Sequence, residues 1–308
     1  MTRHARVLAA PRALSSLAFA TLVCVALLMG ANHVAARLAF DNGTGVATAV
    51  AVRSGVTAVA MGLGLLFLRH GVAHASRRER LALLGIGLLV GVQSLLLYGS
   101  VARLPVALAL LVFNSYPLLT ALWARALYRA WLPRSLLVAM LILLVGLALA
   151  LDVFAAASEL GMAAHWRRMG IGVLMALSGS ALFGLALALT QYEAGAVDGR
   201  MRTFTTMLVT ALVALASVGA QGGFAWPAAP AGWWGLVLLT LLYGTGITIV
   251  LVLLPRWGVV GNTAIMNLEP VFALVLAWFI LGQHMAPLQV AGAFIVVGAV
   301  VVIGLRRE

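Results

Sequence analysis

The chain has 308 residues, 64% of them apolar and 9% charged, with a mean hydropathy of +1.10. A soluble domain is only about half apolar, so the composition excludes a water-soluble enzyme or regulatory module. A net charge of +12 would point to nucleic acid in a soluble protein. Here all 20 basic residues are arginines, set mostly in short stretches between apolar runs. They read as membrane topology, and no nucleic-acid partner is expected.

The lipid-spanning elements follow in chain order at about 20 residues each. The opening stretch, with Arg3, Arg6 and Arg12 ahead of an apolar run, mimics a signal peptide. The run from Leu14 to Ala36 is long enough to span, however, and reads as a retained first helix, 14–36. It holds the single cysteine, Cys24, and carries Asn32 and His33 near its outer end. The second span, 47–68, has Arg53 six residues in. That arginine pairs with Glu269, meets a substrate carboxylate, or snorkels to the interface. The basic loop Arg69–Arg80 has His70 and His74 at i, i+4 but no carboxylate ligands beside them, so no metal is expected. The third span, 81–101, contains Gly87 and Gly91 in a close-packing GxxxG spacing, and Ser94 and Tyr98 share one face.

The fourth span, 104–125, is interrupted by Asn114-Ser115-Tyr116-Pro117, and the fifth covers 135–151. After a linker, 153–169, come the sixth span, 170–190, with Ser178 and Ser180, and the seventh, 202–219. The loop 221–230 carries Gly222, Gly223, Pro227 and Pro230, all turn formers, and Trp226, Trp233 and Trp234 suit an interfacial belt. The eighth span, 233–254, has Tyr243, Thr245 and Thr248. The ninth, 258–281, is interrupted by Asn267-Leu268-Glu269-Pro270, and the tenth covers 287–305.

The two Asn-x-x-Pro frames lie 153 residues apart, as do Arg103 and Arg256, and Gly91 and Gly244. Arginine, asparagine and proline are scarce in spans, so their register marks a duplication. With the N-terminus inside, fifteen arginines fall on the cytoplasmic side and only Arg37, Arg103, Arg167 and Arg168 opposite. Five spans per half then require the second half to enter from the other side. The expected fold class is an all-α integral membrane protein with ten transmembrane helices, built as two inverted five-helix repeats, 1–152 and 170–308. Secondary transporters built this way place their site at mid-bilayer between broken helices.

Glu269 lies about 16 Å along the ninth helix at ~1.5 Å per residue, close to mid-membrane. A carboxylate there costs several kcal/mol unless it is neutral, paired or wet. It is either a proton-coupling group or a structural acid bonded to a neighbouring helix. Asn262, Met266 and Glu269 fall on one stripe at i, i+4, i+7. Asn114 and Asn267 precede the helix-breaking Pro117 and Pro270, which free the carbonyls of Phe113 and Met266. Those asparagines either contact substrate or hold the broken helices together. Tyr98, Tyr116, Tyr243 and Asn32 complete the candidate cavity.

Residues 267–278, Asn-Leu-Glu-Pro-Val-Phe-Ala-Leu-Val-Leu-Ala-Trp, together with Gly30-Ala31-Asn32 and Arg53, resemble the EamA-type permeases of the drug/metabolite transporter superfamily. The resemblance covers nearly the whole chain. It implies a ten-helix inverted repeat around a central cavity that moves small organic solutes. The family's usual Gly-Glu pair at the ends of helices four and nine is replaced by Arg129-Ala130 and Gly282-Gln283. Met29 and His33 stand where aromatic residues commonly flank the first-helix motif, and the proline expected before helix two is missing.

The expected function is secondary transport of a small organic solute across the cytoplasmic membrane by alternating access. Export is favoured by resemblance, both termini are cytoplasmic, and Glu269 is the candidate proton carrier. No cofactor is expected, the partners are the solute and the lipid bilayer, and oligomeric state is open. A membrane-embedded enzyme would need acids clustered with histidine at one interface. The acids outside the spans (Asp41, Glu79, Asp152, Glu159, Glu193, Asp198) are scattered instead. A transport-inactive sensor is the third reading.

Overall fold

In lipid every backbone N–H and C=O must be satisfied within the protein, which favours helices. The computed structural model describes residues 15–67, 75–101, 103, 106–132, 134–150, 162–257, 262–281 and 286–305. Its helices are α1 (Ser16–Asp41), α2 (Val46–Phe67), α3 (Arg77–Val101), α4 (Val106–Phe113), α5 (Tyr116–Tyr128), α6 (Arg134–Ala150), α7 (Met162–Tyr192), α8 (Gly199–Ala220), α9 (Pro230–Trp257), α10 (Leu268–Leu281) and α11 (Pro287–Leu305). A 3₁₀ turn, Asn262–Asn267, leads into α10. Ser15 caps α1 by accepting from Ala18 N, and Asp198 caps α8 by accepting from Arg200 N and Met201 N.

Among the described residues six helices are long and apolar enough to cross a membrane: α1, α2, α3, the part of α7 from Gly170, α8 and α9. The sequence leads one to expect ten crossings with the fourth and ninth broken; α4, α5, α6 and α10 are shorter, at 8, 13, 17 and 14 residues. The fourth expected span is split into α4 and α5 at Asn114–Ser115. The ninth is split into the 3₁₀ turn and α10. In both, the proline falls in the first turn of the new helix, where its missing N–H costs nothing. The histidines His70 and His74 and the pair Gly282-Gln283 lie outside the described residues.

The helix contacts are two-fold. α1 packs on α9 as α7 packs on α3, and α1 crosses α10 as α7 crosses α4 and α5. α2 pairs with α8, and α6 with α11. Exchanging the halves leaves this pattern unchanged. Two glycines show the same symmetry at atomic level. A Cβ on Gly30 of α1 would sit 2.7 Å from the Glu269 carbonyl oxygen and 2.9 Å from Ala273 N in α10. A Cβ on Gly184 of α7 would sit 2.9 Å from Thr120 N and 3.2 Å from the Tyr116 carbonyl oxygen in α5. Tyr116 and Thr120 each precede Glu269 and Ala273 by 153 residues. The Gly87 and Gly91 spacing of α3 receives Val209 and Val213 of α8, which lie too close for any added Cβ.

Polarity is arranged for lipid. Large apolar side chains such as Phe67 and Phe294 face outward, while Asn32, Arg53, Ser94, Gln93 and Glu269 are buried. At one end the loops are joined by Gly45 N to Ala225 O and Ala228 N to Asn42 O, both 2.9 Å. Phe224, Trp226 and Trp233 stack beside them. At the other end Arg78 donates twice to Glu193, at 2.7 and 2.9 Å, and the Tyr128 hydroxyl donates to the same carboxylate at 3.1 Å. Burial, with the Glu193 charge second, holds the Tyr128 phenol above its ordinary range, so it remains a donor.

Arg202 departs from the arginine count, which places it among solvated flanking charges. It is 1% exposed. Pro255 lacks the N–H that would bond the Leu251 carbonyl four residues earlier. The Arg202 Nε donates to that carbonyl at 2.8 Å, Nη2 donates to it as well, and Nη1 donates to Ala194 O and Val197 O. The guanidinium replaces a lost helix bond and ties α8 to α9 and to the loop after α7.

Candidate functional site

A cavity lies between the two halves, close to both breaks. Part of its lining is apolar: Leu97 of α3, Phe113 of α4, Phe183 and Leu187 of α7, Ile247 and Val250 of α9. Part is polar: Asn32 and His33 of α1, Arg53 of α2, Gln93 and Tyr98 of α3, Tyr243 of α9, and Thr263 and Glu269 beside the second break.

Glu269 does not meet Arg53. Its Oε1 lies 2.6 Å from His33 Nε2, with both side chains at most 8% exposed. The close approach of α1 to α10 at Gly30 positions this pair, because His33 is on the same helix one turn further along. The sequence shows His33 only as one polar residue in an apolar helix, 236 residues from its partner. Nothing local announces the pairing.

Arg53 is 2% exposed, so it does not snorkel. Its Nη1 donates to the Tyr98 hydroxyl at 2.6 Å and its Nη2 to Ser94 Oγ at 3.0 Å. The guanidinium carbon lies 3.6 Å from the Tyr243 ring centroid and 4.8 Å from that of Tyr98. Desolvated cation–π contacts of this kind are worth about 2 kcal/mol. Among the described residues no carboxylate comes within 4.0 Å of Arg53, since the ion pairs found are His33–Glu269, Arg37–Asp41 and Arg78–Glu193.

Tyr116, in the place that Glu269 occupies in the other half, lines the same cavity. Its ring packs against Phe113 and Phe183, centroids 5.5 and 4.9 Å away. Asn32, Tyr98 and Tyr243 also line it. Three expected residues do not. Asn114 is 1% exposed and returns its amide to Leu110 O at 2.9 Å, one turn back in its own helix. Asn267 is buried off the cavity. Asn262 donates to Trp257 O at 2.8 Å. The stripe expected at 262, 266 and 269 assumes 3.6 residues per turn, whereas this segment is 3₁₀ with three. Thr263, Met266 and Glu269 line the cavity instead.

Four of the lining residues carry a buried polar atom with no protein partner: Asn32 Oδ1, Arg53 Nε, Gln93 Oε1 and Thr263 Oγ1. Buried polar atoms are normally bonded. All four residues line one cavity, which provides for a polar solute or water. Among the described residues no three His, Cys, Asp or Glu side chains gather to hold a metal.

The model of the EamA-like transporter family matches the chain twice, at residues 16–151 and 170–305. A solved structure titled only "Crystal structure of protein" is similar in fold, with a TM-score of 0.69 at 19% identity over 94% of this chain and 99% of that one. No curated protein matches the chain.

Proposed function

Because the chain belongs to the EamA-like transporter family and is a multi-pass membrane protein, we propose that it is a secondary transporter of a small organic solute working by alternating access. The observation that carries this reading is the cavity between two matched halves, holding the buried His33–Glu269 pair and four unpartnered polar atoms. A purely structural bundle gains nothing from leaving buried donors and acceptors unmatched.

Ten crossings, arranged as inverted units 1–152 and 170–308 in the cytoplasmic membrane with both termini inside, fit the arginine distribution. Export is the favoured direction, on family grounds. The broken elements α4–α5 and 3₁₀–α10 are the moving parts, pivoting at Gly30 and Gly184. Glu269 and His33 carry the coupled proton. When the cavity is closed the two share it across 2.6 Å. When the cavity opens to water, hydration supports the Glu269 carboxylate and the proton passes to water, leaving His33 neutral.

The test begins with a thermal-shift screen of purified protein against amino acids, sugars and cationic drugs. Flux of the best ligand is then measured in proteoliposomes with and without a pH gradient. The expected result is gradient-driven flux that Glu269→Gln makes indifferent to the gradient. Gradient-driven flux that persists unchanged in Glu269→Gln contradicts the coupling role, and the absence of flux for every ligand that binds contradicts transport.

A further inference from the structure

We propose that Arg53 is an anion-binding site and that the solute carries a single negative charge, such as one carboxylate, on an apolar, preferably aromatic body. This rests on the reading of the cavity as a solute site and narrows what that solute is.

A guanidinium has five N–H groups. Two of Arg53's are used, by Tyr98 and Ser94, and both acceptors are neutral hydroxyls. Its Nε–H has no acceptor among the described residues. The residue is 2% exposed, and the nearest aromatic contact, Tyr243 at 3.6 Å, offers a ring face and no formal charge. A cation this deeply buried is strongly disfavoured unless an anion or water joins it. Glu269 is engaged with His33, so its charge is not directed to the arginine. Arg53 nonetheless lines the cavity, where an entering anion would meet it.

A single charge follows from the inventory of cations. Among the described residues Arg202 is the other fully buried arginine, but it does not line the cavity and its donors are taken up by the carbonyls of Leu251, Ala194 and Val197. His33 lines the cavity but is bonded to Glu269. A doubly charged phosphate would therefore meet Arg53 as its one cation not already facing a carboxyl group. The apolar body follows from the rest of the lining, where Phe113, Tyr116 and Phe183 form a cluster with centroids 4.9 to 5.8 Å apart. Aromatic faces at that spacing accept a further ring by offset or edge contact.

The experiment measures equilibrium binding of three probes of similar size to the full chain in detergent: phenylacetate, phenylacetamide and phenethylamine. Phenylacetate is expected to bind about tenfold or more tightly than the amide. Arg53→Gln should abolish that preference and Arg53→Lys should retain part of it. The comparison among probes on the unaltered protein stands even if a variant fails to fold. Equal binding of carboxylate and amide, or preference for the amine, overturns the proposal. The transport reading fails separately: carboxylate-selective binding without flux leaves the anion site standing, and flux of a neutral or cationic solute without carboxylate preference removes only the anion site.

Discussion

A carboxyl group among apolar side chains needs a partner, and His33 supplies one at 2.6 Å. Removing that partner should destabilise the protein more than removing both groups. His33→Ala is expected to cost about 2–4 kcal/mol by leaving a buried acid alone. Adding Glu269→Gln to His33→Ala should recover at least half of the loss in a double-mutant cycle followed by thermal unfolding. Additive losses would show that the two groups do not act on each other. Glu269 is visible in the sequence because an acid in a long apolar run is costly. His33 is not, because its partner is distant in the chain and is brought near only where α1 crosses α10. Arg53 was legible as a buried candidate, but its neighbours Tyr98, Ser94 and Tyr243 come from two other helices, and only packing brings them together.

The elements repeat, and the repeat is tightest where α1 meets α10 and α7 meets α5. At both crossings a glycine faces backbone atoms of the broken helix. Gly30→Ala and Gly184→Ala should each lower thermal stability, by about 1–3 kcal/mol, since a backbone has to move to admit the methyl group. Gly55, with nothing within 4 Å of its would-be Cβ, is the control, and Gly55→Ala should leave stability unchanged or raised. Equal tolerance at all three positions would mean the crossings are looser than described. The duplication could be read from Arg, Asn and Pro in register. The form of each break could not. The same Asn-x-x-Pro frame gives a two-residue turn at Asn114–Ser115 and a six-residue 3₁₀ turn at Asn262–Asn267. A periodicity of 3.6 carried through the second break selects Asn262, while three residues per turn selects Thr263.

At the scale of the whole molecule, a symmetric scaffold carries an asymmetric site. The contacts of the two halves interchange, yet Glu269 faces Tyr116 across the halves, and Arg53 has no arginine at the matching place in α8, where Thr206 and Met207 stand. Two like halves allow two equivalent end states, and the unlike side chains allow a solute and a proton to bias them. The ends of the molecule differ too. One is tied by backbone hydrogen bonds between loops, the other by the Arg78–Glu193–Tyr128 cluster, so the bonds broken on opening each side are of different kinds.

The central claim is that one cavity opens alternately to the two faces of the membrane. The single native cysteine, Cys24, makes a clean background once replaced by serine. Thr263→Cys then places a thiol in the cavity, and a membrane-impermeant maleimide is applied to right-side-out and to inverted vesicles across a range of pH. Alternating access predicts labelling from both faces, with the balance between them shifting with pH and the shift lost in Glu269→Gln. Labelling from one face alone, unmoved by pH, would contradict the account.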